Sequence, residues 1–155
     1  DFPYKGELIS LLIRNVLRFI SNNIRLKDEF TTNEYSNGNL AFQKMTGDQS
    51  LFVGFASKDK ELLNIANPFA GEEFTEVDED AFDSVCEFIN CTNGLYASKL
   101  SEEAIFLDME PPLYSTNATI SSNGDICVIP LVIEDIPIDL LIVLNHQTEI
   151  SREGR

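Results

Sequence analysis

Between Lys5 and about Ile24, apolar residues recur at steps of three and four: Leu8, Ile9, Leu12, Ile13, Val16, Leu17, Ile20 and Ile24. That spacing lines one side of a helix and predicts a first long amphipathic helix. Residues 25 to 39 are polar, rich in Asn, Thr and Asp, and carry no predicted element. Leu40, Phe42 and Lys44 then alternate with smaller or polar neighbours up to Thr46-Gly47-Asp48, a turn, and the chain returns through Leu51, Phe52, Val53 and Phe55 as a hairpin. Ser57 is placed to cap a second helix through Leu62, Leu63 and Ile65. That helix is expected to stop near Asn67-Pro68, because proline disfavours helical backbone in the residue before it.

After Gly71 and an acidic loop, Thr75-Glu76-Val77-Asp78 has capping-box spacing and opens a third helix that runs to about Leu100. Ile105 to Met109 and a Pro111-Pro112 break follow. The region Thr119 to Ser122 leads into Asn123-Gly124, a hairpin-turn dipeptide. Cys127 to Ile133 and Ile136 to Leu144 make the last hairpin, joined at Glu134-Asp135, and residues 146–155 read as a polar tail. Helices and strands come in blocks without β-α-β alternation. The expected fold is therefore α+β, long helices on a largely antiparallel mixed sheet, as a single domain over 1–155.

Composition narrows the function. A formal net charge of -15 with no Lys/Arg stripe repels nucleic acid and anionic lipid, so neither is expected as a partner. The three cysteines lack CxxC spacing, which points to a reducing compartment, with cytoplasm the default. His146 is the only histidine, too few ligands for metal chemistry, and no cofactor of the protein's own is expected. The apolar run over residues 8 to 20 is short and broken by Arg14, Asn15 and Arg18, so it is not expected to cross a membrane.

On a wheel of roughly 100° per residue, the third helix separates into two faces. Ala81, Val85, Phe88, Ile89, Thr92, Tyr96 and Leu100 gather on one, and Asp83, Glu87, Asn90, Gly94 and Ser98 on the other. Gly94 is the informative member of the polar stripe. Glycine within an exposed helix costs about 0.5–1 kcal/mol relative to alanine, which suggests that something approaches closely there. Glu61 and Asn64 repeat the Glu-x-x-Asn spacing, but on a helix that ends at once and with no glycine four residues on. The full pattern Glu87-x-x-Asn90-x-x-x-Gly94 is the more specific one.

From Gly47 to about Leu144 the chain resembles the CheC and CheX chemotaxis phosphatases, CheX more closely. The resemblance rests on the strand Leu51 to Phe55, the acidic loop, the motif Glu87-Phe88-Ile89-Asn90-Cys91-Thr92-Asn93-Gly94, the Pro111-Pro112 break and the final strands. It implies a homodimer formed through sheet strands and, as in CheX, one site per chain, since CheC proteins carry two copies of the motif and the first helix here has no Glu-x-x-Asn. It also implies a phosphorylated CheY-like receiver domain as partner, with the metal ion belonging to that receiver. Glu87 and Asn90 map onto the family's catalytic pair: the Glu grips the receiver's lysine and the Asn positions the attacking water. Asp83, Gly94 and Ser98 are the expected partner-binding positions.

Two positions depart from the commoner family pattern. Ile89 replaces a small residue but faces the core, whereas Asn93, also where a small residue is usual, is placed near the boundary of the two faces and could disturb docking. The competing reading is a receiver-binding or scaffold module without turnover. A cysteine enzyme using Cys91 would lack a histidine base.

Overall fold

The two hairpins read from apolar alternation form the middle of the sheet. The computed structural model describes residues 5–152, in the order α1 (Lys5–Phe19), β1 (Ile24–Leu26), β2 (Phe30–Ser36), β3 (Asn39–Gly47), β4 (Leu51–Ser57), α2 (Leu63–Ala70), α3 (Glu79–Ser101), β5 (Leu107–Met109), β6 (Leu113–Ser115), β7 (Ala118–Ile133), β8 (Ile136–Leu144) and β9 (Thr148–Arg152). The sheet runs β1-β7-β8-β4-β3-β5, with β2 and β9 also on β7 and β6 also on β3. Every pairing among the described residues is antiparallel, so no parallel pair makes the sheet mixed. The β7–β8 turn at Glu134-Asp135 has both residues at positive φ, 51° and 66°, as a two-residue hairpin of matching twist requires.

The sheet buries both faces, because successive side chains of a strand point to opposite sides. On one side the helices pack over Ala41 and Met45 of β3, Val53 and Phe55 of β4, and Leu140 and Ile142 of β8. On the other, Leu40, Phe42, Phe52, Leu141 and Val143 form a second core with Ala118 and Ile120 of β7. Tyr35 of β2 and Ile150 of β9 pack against that second core. The Tyr35 hydroxyl donates to Asp139 at 2.5 Å.

Several sequence expectations are corrected. Asn123-Gly124 is not a turn: β7 continues through it, with an irregularity in its pairing to β2. The glycine instead gives room to the exposed His146 ring, which a Cβ at Gly124 would displace. Polar residues 25 to 39 hold β1 and β2, whose burial is slight, so no apolar alternation marks them. The polar tail supplies β9 on β7, while 153–155 lie outside the described residues. Ser57 does not cap α2. It is the buried end of β4 and donates to Glu61 at 2.6 Å. Nor does Pro68 end α2, which continues to Ala70 and closes at Gly71 in left-handed backbone, with the Gly71 and Glu72 amides on the Asn67 carbonyl.

α3 begins at Glu79, later than expected. Asp78 is its N-cap, accepting from the Ala81 amide at 2.9 Å, and Thr75 lies outside the helix. Inside the core one polar pair ties α1 to α3: the Asn15 side chain, 4% exposed, donates to the Thr92 hydroxyl at 2.8 Å. Asn15→Ala leaves a cavity and a hydroxyl without its donor. It should lower unfolding free energy by about 1–3 kcal/mol in urea titration, without changing the shape of the far-UV spectrum.

Candidate active site

The rotation of α3 is set by its apolar residues. Ala81, Val85, Phe88, Ile89, Thr92, Tyr96 and Leu100 are all buried, as the wheel predicts. The polar stripe is the outer face of the helix: Asp83, Glu87 and Ser98 are exposed, and Asn90 and Gly94 half-buried. Glu87 and Asn90 come together, with Asn90 Nδ2 donating to Glu87 Oε1 at 3.4 Å. Helical spacing puts Asp83 one turn before Glu87 and Ser98 one turn beyond Gly94. Glu87 has no cation partner among the described residues.

The sequence missed the residue behind Asn90. Gln43 lies on β3 between Ala41 and Met45, on the helix-facing side, and is 1% exposed. Its Nε2 donates to Asn90 Oδ1 at 2.8 Å and to the Glu110 carbonyl at 2.8 Å, while its Oε1 accepts from Asn93 Nδ2 at 2.9 Å. Asn93 is thus not at a docking boundary. It is 0% exposed, because the β5–β6 edge covers that flank of α3. A polar residue at an inward strand position was the available signal, but apolar Leu40 and Phe42 made the opposite parity look like the buried one. The Glu61–Asn64 pair is structural: Glu61 accepts from Ser57, and Asn64 donates to the Ile133 carbonyl at 3.1 Å.

The break between β5 and β6 explains where Gln43 finds its partner. β5 pairs with Met45 to Gly47 and β6 with Leu40 to Phe42, so Gln43 lies opposite the gap. Pro111 and Pro112 have no N–H to continue the ladder there. Next to the gap, Tyr114 is exposed and lies against α3, stacked on Phe82 with ring centres 4.4 Å apart, whereas Leu113 pairs with Phe42 and faces the other side of the sheet. The Tyr114 ring is a flank of the site that the sequence did not reveal.

At Gly94 the chain itself leaves room. A Cβ there would meet only Met109, at 3.9 Å, an ordinary contact. Gly94→Ala should therefore raise the stability of the isolated protein by about 0.5–1 kcal/mol, read from a higher urea midpoint at unchanged slope.

The thiols near the site are poor nucleophiles. Burial, with the Asp83 charge nearby, pushes Cys86 up to about 12. Partial burial, then the Glu87 charge and hydrogen bond, also raises Cys91, whose Sγ lies 3.8 Å from Glu87 Oε2. Among the described residues no group of three or more His, Cys, Asp or Glu side chains is placed to hold a metal ion, and no helix is long and apolar enough to cross a membrane. Burial remains when the carboxylate is removed, but the negative charge that also opposes the Cys91 thiolate is gone. Glu87→Gln should therefore speed labelling of Cys91 by a thiol reagent at neutral pH, with Cys86 and Cys127 reacting only on unfolding.

Residues 40–132, more than half of the chain, match the family described as Chemotaxis phosphatase CheX. No curated protein matches the chain. Among solved structures, a CheC-like superfamily protein from Shewanella sp. PV-4 is 21% identical with a TM-score of 0.76, over 93% of this chain and 98% of that one. The chemotaxis protein CheX from Vibrio vulnificus is 15% identical with a TM-score of 0.74, over 92% and 99%. The CheX–CheY–BeF3–Mg2+ complex from Borrelia burgdorferi matches at 13% identity and a TM-score of 0.69, over 95% and 99%. These likenesses speak for a shared CheC-like fold.

Proposed function

The chain belongs to the CheX family of chemotaxis phosphatases, and from that premise we propose that it hydrolyses the aspartyl phosphate of a CheY-like receiver through Asn90 and Glu87. The observation that carries the reading is their placement. A carboxylate without a cation and an amide tied from behind lie side by side on the exposed face of one helix. In the Borrelia burgdorferi complex the relative is bound to CheY with BeF3 and Mg2+, which supports a receiver as the partner.

The chemistry asks little of the phosphatase. An aspartyl phosphate is a mixed anhydride held by the receiver's own metal ion and lysine, so the missing element is a water fixed in line with the scissile P–O bond. Asn90 suits that task. Gln43 takes one lone pair of Oδ1, and a second lone pair and an Nδ2 hydrogen are left for the water. An Asp at this position would set a negative charge against the phosphoryl oxygens. Glu87 would pair with the receiver's lysine and so fix the register of docking. Asp83, Gly94, Ser98 and Tyr114 are the surrounding surface on which the receiver would rest.

A hundredfold acceleration over the receiver's own hydrolysis needs only about 2.7 kcal/mol of transition-state stabilisation. Asn90→Ala should abolish the acceleration of receiver dephosphorylation while the protein still binds the receiver. Glu87→Ala should weaken binding as well as turnover. Decay of phosphorylated receivers followed with the three proteins checks both. If no receiver decays faster, yet one binds wild type and Asn90→Ala equally, a binding module is the better account.

A further inference from the structure

The helix places Asn90 but does not orient the amide at the end of its side chain. The two ends of an amide have the same shape and opposite hydrogen-bonding sense. A direction enters the site through one backbone atom. The Glu110 amide donates to the Lys44 carbonyl at 3.0 Å, which fixes residue 110 against β3, and the following Pro111 favours extended backbone there. The Glu110 carbonyl can only accept, so the end of Gln43 that meets it at 2.8 Å is Nε2. The same nitrogen meets Asn90 at 2.8 Å, so the Asn90 atom facing it is Oδ1. The other end of Gln43 is then Oε1, and Asn93 must offer it Nδ2, at 2.9 Å. Turning any one amide over would set donor against donor or acceptor against acceptor. Gln43 and Asn93, at 1% and 0% exposure, have no solvent to absorb the mismatch.

We infer that Gln43, aimed by the Glu110 carbonyl and backed by Asn93, is a positioning residue that fixes the Asn90 amide with Nδ2 and one Oδ1 lone pair toward the phosphoryl group. The inference rests on the phosphatase reading above. Asn93 supports it independently, because its own Oδ1 is buried without a partner. An apolar side chain would fill that position without a lost acceptor, so the residue's contribution is the hydrogen it gives to Gln43.

The test uses a receiver that the wild-type protein dephosphorylates. Gln43→Glu keeps the shape and keeps Oε1 for Asn93, but when ionised it sets a second acceptor against Asn90 Oδ1 and the Glu110 carbonyl. When protonated its O–H restores a donor. Turnover at neutral pH should fall about ten- to a hundredfold, with affinity for the beryllofluoride-treated receiver unchanged within about twofold. The ratio to wild type should recover as pH is lowered, since protonation returns the donor. Glu87, beyond Asn90, the Glu110 side chain and the receiver are common to both reactions, so the ratio reports on the group at position 43. A second variant, Gln43→Met with Asn93→Leu, replaces both buried amides by apolar groups of similar shape and should stay folded. It should show the same loss without recovery at low pH.

Wild-type turnover in both variants overturns the proposal, and so does a loss of affinity that accounts for the loss of turnover. Should wild type act on no receiver, the phosphatase reading is what has failed. Orientation is then read directly, from the Asn90 side-chain NH2 resonances in nitrogen-15 spectra. They should shift in Gln43→Glu, and unchanged resonances overturn the inference.

Discussion

How α3 must be turned to bury Phe88, Ile89, Thr92, Tyr96 and Leu100 on the sheet decides everything at its surface. At roughly 100° per residue these side chains fill an arc that cannot be rotated far without exposing Phe88 on one side or Leu100 on the other. Each large apolar side chain buried there contributes about 1.5–3 kcal/mol, far more in sum than any contact of the polar stripe. Glu87 and Asn90 therefore inherit their directions from the core. The same rotation carries Asn93 inward, where an amide has to find a partner or lose its hydrogen bonds.

That partner is available because the sheet edge is interrupted. A continuous strand opposite β3 would occupy the Glu110 carbonyl with a ladder N–H and leave Gln43 facing a filled edge. Pro111 and Pro112 split the edge into β5 and β6, and the carbonyl next to the split takes a side-chain donor instead. The prolines thus connect backbone geometry to the polar face of α3 through a single buried side chain. For stability alone, an apolar pair at Gln43 and Asn93 would serve as well, since buried amides return little net free energy even when satisfied.

What the sequence made legible was whatever one strong period governs. The α3 wheel separated core from surface because 23 residues sample both faces many times. The hairpins around Thr46-Gly47-Asp48 and Glu134-Asp135 were marked by apolar runs on either side of a short polar turn. β2 and β9 were invisible because they are mostly exposed and pair through backbone atoms, which carry no composition. Gly124 misled because the same residue serves a tight turn and a close approach, and only the position of the His146 ring distinguishes them. Gln43 was hidden by the second core: when both faces of a strand are buried, alternation no longer says which face looks toward the helices. The pairing of Gln43 with Asn93 spans 50 residues, a separation that no local pattern records.

Glu87 and Asn90 are supported differently, in keeping with the tasks proposed for them. A carboxylate attracts a cation from any side, so Glu87 needs only to be near. It is left exposed, with a weak contact to Asn90 at 3.4 Å and a distant thiol. An amide that must hold a water in line has to point, and a free Asn on a helix surface would sample several rotamers and both flips. Freezing that motion during the reaction would add to the barrier, whereas freezing it on folding charges the cost to the stability of the domain. The chain from Glu110 through Gln43 does the latter. It ties the end of the site whose direction matters and leaves the exposed end where charge alone suffices.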